Sequence, residues 1–148
     1  MRFYSERLVP GVWTFVATFL IVPGTVLVIF PINQMVAVIS AAVLYLLCVT
    51  LLIATSPVVR VEKGQLNAGR AKISVNHLGK IEHYDGDDAT QQRGPLLDAR
   101  AHLVIRGWVS AIVRIELNDP QDPTPYWIIS TRHPQQLADA IRQAQEQS

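Results

Sequence analysis

The sequence predicts a membrane-spanning helical hairpin followed by a small α+β domain, and three observations support this. Residues 8–59 contain no Asp, Glu, Lys, Arg or His. After them, apolar and polar residues alternate in short runs, which is typical of half-buried strands. The last apolar stripe, in contrast, has helical spacing. No motif in the chain identifies a reaction.

The uncharged run is long enough to cross a bilayer twice. A hydrocarbon core of about 30 Å needs about 20 apolar residues in a helix, and only a helix satisfies its own backbone in lipid. We place the spans at residues 8–30 and 34–55. Residues 30–34 mark a tight turn between them, so the two helices are antiparallel. Pro23-Gly24 predicts a kink in the first span or an early end of its regular part.

Small residues in the second span predict close helix packing. Ala37 and Ala41 have small-x-x-x-small spacing, with Ser40 beside them. We interpret them as packing the hairpin on itself, with a homo-oligomer contact as the alternative. Cys48, the single cysteine, lies in the same span, so the chain forms no internal disulfide.

Flanking charge predicts the orientation. Arg2 and Arg7 lie in a short tail over residues 1–7, Arg60 and Lys63 follow the second span, and the turn between the spans is uncharged. The positive-inside rule then predicts a multi-pass plasma-membrane protein with both termini in the cytoplasm.

The pattern of residues 58–148 predicts a cytoplasmic domain of about six or seven strands and one helix. The strands are expected near residues 59–62, 65–66, 71–75, 80–84, 101–106, 111–117 and 126–131, with a loop of at most one helical turn at 85–95. Pro134 begins a terminal helix with Leu137, Ala140, Ile141 and Ala144 on one face. We predict an antiparallel, pleckstrin-homology-like split barrel; an α+β roll is the alternative.

Charge is distributed unevenly along this domain. The region next to the membrane is basic and includes Arg60, Lys63, Arg70 and Lys72, whereas residues 81–98 are mostly acidic. Such a basic region suits anionic lipid headgroups. The alternative is an ordinary solvated strand face.

Aromatic and arginine side chains near the later strands form the candidate binding rim: Arg106, Trp108, Arg114, Tyr126, Trp127 and Arg132. A cation–π cluster there would suit phospholipid headgroups or an acidic peptide. The alternative is that both tryptophans are core or membrane-interface anchors.

Catalytic chemistry is not predicted. Asp119 and Asp122 each precede a proline, which is typical of turns. The four histidines are scattered, and no nucleophile elbow or phosphate loop occurs. We therefore expect no enzyme activity, metal or cofactor. Nucleic acid is not an expected partner either, since acids and bases are balanced in the domain.

Several segments resemble a family of small two-span membrane proteins of high-GC Gram-positive bacteria, classed as a domain of unknown function. They are residues 4–8 (YSERL), 66–70 (LNAGR), 106–109 (RGWV) and the stretch from Asp119-Pro120 through 122–127 (DPTPYW) to 130–132 (STR). The resemblance implies membrane residence and the two-part layout, and it assigns no catalytic residue.

Three functions follow as hypotheses. The first is a non-enzymatic interaction module that the hairpin holds at the membrane, where it docks a partner protein or a second copy of the chain. The second is a binder or sensor of anionic lipid headgroups. The third and most remote is an enzyme that uses Asp119, Asp122 and Arg132.

Overall fold

A computed structural model describes residues 2–148 as two compact units. One unit contains the chain up to Leu8 together with Pro57–Ser148, and the other is Val9–Ser56. The second unit is helical, and the first contains all the strands.

The helical unit has three helices, α1 (Val12–Phe19), α2 (Ile21–Ile29) and α3 (Gln34–Ala54). The break between α1 and α2 falls at Leu20, three residues before Pro23. Proline has no amide hydrogen and crowds the carbonyl of the preceding turn, so the helix tightens there, and the Leu20 amide donates to the Ala17 carbonyl at 3.2 Å. The regular helix is therefore interrupted within one turn of Pro23, whereas a kink at this position stays a prediction.

The turn between α2 and α3 is closed by a side-chain cap. The Asn33 side chain accepts hydrogen bonds from the amides of Met35 and Val36 and so begins α3. Ala37 and Ala41 are buried, as expected if small residues let α3 pack closely.

Most of the helical surface is apolar and exposed. Trp13 and Ile32 are each 83% exposed, and Leu27 is 77% exposed. By length and composition, residues 12–29, which are α1 and α2 taken together, and residues 34–54 are two helical segments that are able to cross a membrane.

Sheet A consists of β1 (Arg2–Arg7), β2 (Val58–Glu62), β3 (Gln65–Ala68) and β4 (Ala71–Ser74), in that order and antiparallel throughout. The predicted tail over residues 1–7 is therefore wrong for residues 2–7. These residues form an edge strand of the β domain, and the predicted division of the chain at residue 57 does not match the compact units. The local pattern gave no sign of β1 because its partner β2 lies beyond the helices.

Backbone pairing of β1 and β2 continues to Leu8 and Pro57, the residues that flank the helical unit in the sequence. Arg7 lies opposite Val58, and the Leu8 amide donates to the Pro57 carbonyl at 2.9 Å. At the other end of β2, Lys63 and Gly64 both have positive φ, 51° and 69°. Two such residues suit the tight hairpin turn that was predicted between β2 and β3.

Sheet B consists of β5 (Leu78–Tyr84), β6 (His102–Val104), β7 (Ile112–Leu117) and β8 (Tyr126–Ser130), in the order β5-β7-β8-β6. The expectation of a wholly antiparallel sheet is wrong at one pair, because β6 runs parallel to β8. Residues 85–95 form more than the single turn expected. Asp85 accepts a hydrogen bond from the Gly86 amide and begins α4 (Gly86–Arg93).

One main core lies between the two sheets. It combines the inward residues of sheet A, one face of sheet B and the predicted stripe of α5 (Pro134–Glu146), in which Leu137, Ala140, Ile141 and Ala144 are all buried. A second, smaller apolar cluster covers the other face of sheet B and includes Ala89 of α4. Sheet B thus has apolar packing on both faces, whereas the clusters formed by the described residues of the β domain pack on the inward face of sheet A.

The position of β1 predicts how the domain behaves without its helices. A variant that replaces Val9–Ser56 with an Asn-Gly turn keeps β1 beside β2, because Leu8 and Pro57 already face each other. We expect this joined domain to unfold cooperatively in urea without detergent. Residues 58–148 alone lack Tyr4 and Leu8 of the main core, so the midpoint of their unfolding should lie at a much lower urea concentration. Equal stability of the two variants would contradict the assignment of β1.

Candidate functional site

The six candidate rim residues do not gather at one place. Tyr126 and Trp127 are neighbours on β8, so their side chains point to opposite faces of sheet B. Tyr126 packs in the second apolar cluster and Trp127 in the main core. Strand alternation therefore divides the predicted group, and its binding role stays a prediction.

Arg114 and Tyr126 form the cation–π pair that the sequence suggested. The guanidinium carbon of Arg114 lies 4.1 Å from the centroid of the Tyr126 ring. The Tyr126 hydroxyl accepts a hydrogen bond from the Asp98 amide at 2.7 Å, and Glu82 lies directly across the sheet from Arg114. This pair holds the segment after α4 against sheet B.

Both tryptophans of the group contribute to the main core. Trp127 is 5% exposed, and its ring lies 4.6 Å from that of His102. Trp108 is partly buried against the same core, and its indole nitrogen donates to the Leu8 carbonyl at 3.2 Å. These contacts support the interpretation of both as structural anchors.

Arg106 and Arg132 both lie next to the end of β8. The Arg106 amide donates to the Ser130 hydroxyl at 3.1 Å, and its guanidinium donates to the Ile105 carbonyl at 2.9 Å. Arg132 forms a 3.8 Å ion pair with Glu6. Through Glu6, Arg132 belongs to a group of contacting residues that sequence patterns did not predict.

We call that group the Glu6 junction: Tyr4, Glu6, Thr131 and Arg132. The Tyr4 and Thr131 hydroxyls each donate to the same oxygen of Glu6, at 2.6 Å. The Arg132 amide donates to the other oxygen at 3.1 Å. The Glu6 side chain is only 10% exposed, so nearly all of its hydration is replaced by these contacts.

The surroundings of Tyr4 disfavour its phenolate form. Burial of Tyr4 and its hydrogen bond to Glu6 raise the pKa of the phenol well above its ordinary value, so the hydroxyl stays a donor at alkaline pH values at which an exposed tyrosine ionises. The junction joins β1 to the chain that follows β8. Its residues lie in two of the segments that carry the family resemblance, but periodicity alone gave no reason to pair positions so far apart.

The aspartates of the proline-rich loop form turns, as predicted. Asp119 accepts a hydrogen bond from the Gln121 amide and Asp122 one from the Thr124 amide, each at 2.9 Å. Hydrogen bonding by Thr124 lowers the pKa of Asp122. Within residues 2–148, no three His, Cys, Asp or Glu side chains are grouped so as to hold a metal ion.

The outward face of sheet A carries a continuous row of polar side chains. Ser5 lies opposite Arg60, Arg60 opposite Asn67, and Asn67 opposite Lys72, so the row crosses all four strands. Arg7 lies on the same face, opposite Val58. Arg70 follows Gly69, whose amide donates a hydrogen bond to the Val58 carbonyl. We call Arg7, Arg60, Arg70 and Lys72 the basic face; all four are exposed.

Lys63 does not belong to this group. It lies in the β2–β3 turn, at the end of sheet A farthest from Leu8 and Pro57. At about 3.3 Å per strand residue, the length of β2 separates it from Val58 by roughly 17 Å. Lys63 thus lies at the far end of β2 from Val58, and its membrane-proximal role stays a prediction.

These features define a class of protein: an α+β domain of two sheets, with a pair of apolar helical segments inserted between two strands that are hydrogen-bonded to each other. The chain belongs to the family of proteins of unknown function DUF3093, whose model matches residues 3–141. Comparison with curated proteins and with solved structures gave no match. The family membership identifies the chain and assigns it no activity.

Removing the Glu6 carboxylate tests the role of the junction. In the joined domain, Glu6→Ala removes the acceptor that the Tyr4 and Thr131 hydroxyls share. These hydroxyls lie 2.9 Å apart, so only one of them can still donate to the other. We expect a loss of about 1–3 kcal/mol in the free energy of unfolding by urea. Glu62→Ala is the matched control. Its carboxylate makes a more exposed 3.7 Å pair with Arg2, worth at most about 1 kcal/mol. Equal losses would show that the junction has no special importance.

Proposed function

We propose that this protein is a non-enzymatic, membrane-anchored interaction module that presents its β domain to a partner protein at the cytoplasmic surface. The observation that carries the proposal is the insertion of the apolar helices between β1 and β2, which pair with each other. Two chain segments that share backbone hydrogen bonds must lie on the same side of a bilayer.

That requirement supports an even number of crossings. The segments at residues 12–29 and 34–54 either both cross or both stay out of the membrane. Their exposed apolar surface favours crossing, because water would be a poor solvent for it. We therefore propose a two-span hairpin, as the family resemblance implies. We also propose, from the same resemblance, that the protein comes from a high-GC Gram-positive bacterium.

The side of the membrane follows from charge. Arg7 and Arg60 lie close to the ends of the apolar segments. Arg2 and Lys63 lie farther from them on the same flanks, and the turn at residues 30–33 has no charge. The positive-inside rule places the β domain and both termini in the cytoplasm of a plasma-membrane protein.

We place the β domain in the pleckstrin-homology-like class. Seven strands from β2 to β8, two sheets around one core and a terminal amphipathic helix support this assignment. The parallel β6–β8 pair and the additional strand β1 are departures from the simplest form of that outline, and the α+β roll is the alternative.

Anchoring supports docking as the function. A domain confined to a membrane surface meets its partners at high local concentration, so weak contacts are sufficient. Among the large apolar side chains of the described β domain, Leu96 and Leu103 are the exposed ones, at 60% and 42%. Leu103 lies on β6, an edge strand of sheet B. We propose this edge as the contact for a partner protein.

Site-specific photocrosslinking in cells tests the proposal. A photoreactive residue at Leu103 should give one reproducible crosslink to a protein other than this chain, because the side chain is exposed on a sheet edge. The same residue at Gln136, on the exposed face of α5, is the control and should not give it.

Two results would contradict the protein-partner proposal. One is crosslinking only to second copies of the chain, which would make the function self-association. The other is the same set of products from both positions, which would mean that contact at β6 is not specific.

A second candidate function, binding of anionic lipid headgroups, is supported by the basic face of sheet A. It concerns the side of the domain away from α4 and is compatible with protein docking at β6.

A further inference from the structure

We infer that the outward face of sheet A rests on anionic lipid headgroups of the same bilayer that holds the helices, and that α4 is turned away from the membrane. The inference rests on the proposed membrane insertion and adds to it an orientation and a lipid class. Three features of the β domain support it: an open basic sheet face, a net negative helix opposite, and the connection of the basic strands to the helices.

The first feature is the chemistry of the two faces of sheet A. Inward side chains such as Tyr4, Val61 and Leu66 are buried in the main core. Outward side chains are polar or charged, with the exception of Val58. Of these outward charges within residues 2–148, four on the strands are basic and one is acidic: Arg2, Arg7, Arg60, Lys72 and Glu62. Glu62 is paired with Arg2, which leaves the centre of the face cationic.

The second feature is the opposite outer layer. The layers of the β domain are, in spatial order, sheet A, the main core, sheet B and the second apolar cluster. The helix α4 covers the face of sheet B that is turned away from sheet A, through Ala89. Asp85, Asp87 and Asp88 at the start of α4 are all exposed. Arg93 in the last turn of α4 and Arg114 on the same side of sheet B are bases, so this side is not uniformly acidic. The helix α4 with Asp85 is nevertheless net negative, whereas the outward face of sheet A is net positive. A negatively charged surface therefore attracts sheet A and repels α4.

The third feature is how near the basic strands are to the apolar segments along the chain. Arg7 precedes α1 by five residues, and β2 begins four residues after α3 ends. Arg70 lies beside the start of β2, since the Gly69 amide bonds the Val58 carbonyl. At about 3.3 Å per strand residue, Arg60 is only about 7 Å farther along β2 than Val58.

The basic face is attracted to an anionic bilayer only if it is held close to the bilayer surface. The potential of an anionic leaflet falls off over a Debye length of about 8 Å at physiological ionic strength, so only cations held close to the surface are attracted strongly. Each such Lys or Arg changes the ratio of docked to free domain about fivefold. A short connection to the membrane keeps the basic face within that range.

The experiment uses the full-length protein in nanodiscs with the Cys48→Ala change and one introduced cysteine that carries a fluorophore. Asn67→Cys places the fluorophore between Arg60 and Lys72 on the basic face, and Gln91→Cys places it on α4. Headgroup-labelled quencher lipid is included in discs of phosphatidylcholine alone or with phosphatidylglycerol, and quenching is measured at low and high salt.

We expect stronger quenching at position 67 than at position 91 in the anionic discs, and we expect salt to reduce the difference. Arg60→Gln with Lys72→Gln should lower the docked-to-free ratio about fivefold for each cation removed. Arg100→Gln with Arg142→Gln is a control that changes net charge equally, at exposed positions off sheet A, and it should leave the quenching unchanged.

Equal quenching at the two positions, or quenching that ignores phosphatidylglycerol and salt, would overturn the inference while leaving the membrane insertion intact. An equal effect of the two double variants would also overturn it, because only net charge would then matter. Failure of the unlabelled protein to enter nanodiscs at all would instead contradict the proposed function.

Discussion

The pairing of β1 with β2 is the constraint on which the rest of the structure depends. These strands come from opposite ends of the apolar segment Val9–Ser56, yet Arg7 lies opposite Val58 and Leu8 bonds Pro57. Closing so long a segment costs conformational entropy, although that cost grows only slowly with length. Burial of Tyr4 and Leu8 in the main core helps to offset it. The pairing makes the β domain continuous across the insertion.

The Glu6 junction reinforces the same strand from the other side of the core. A carboxylate that is 10% exposed is costly to bury unless its oxygens are hydrogen-bonded, and Tyr4, Thr131 and Arg132 meet that need. Trp108 adds a bond to the Leu8 carbonyl. Residues from the start, middle and end of the chain therefore hold β1, and the three resemblance segments 4–8, 106–109 and 130–132 come together there.

Sequence patterns predicted the features that depend on near neighbours. The apolar helices, the turn at Lys63-Gly64, the α5 stripe and the aspartate turns all follow from local spacing. Features that depend on distant partners were either not predicted or predicted as one group that the structure separates. Residues 2–7 looked like a tail because β2 lies beyond the helices, and the rim containing Tyr126 and Trp127 was separated by alternation on β8. Glu6 carried no signal of its own, since its three partners lie far along the chain or depend on β1 being a strand.

The central claim is that both flanks of the helical insertion lie on one side of the bilayer and its turn on the other. Single cysteines at Ser5, Gln65 and Ile32, in a Cys48→Ala background, measure this directly with a membrane-impermeant thiol reagent; all three positions are exposed. In intact cells we expect labelling at position 32 alone, and labelling at positions 5 and 65 only after the membrane is opened. Labelling of positions 5 and 65 from opposite sides would contradict the account, because β1 and β2 would then be unable to pair.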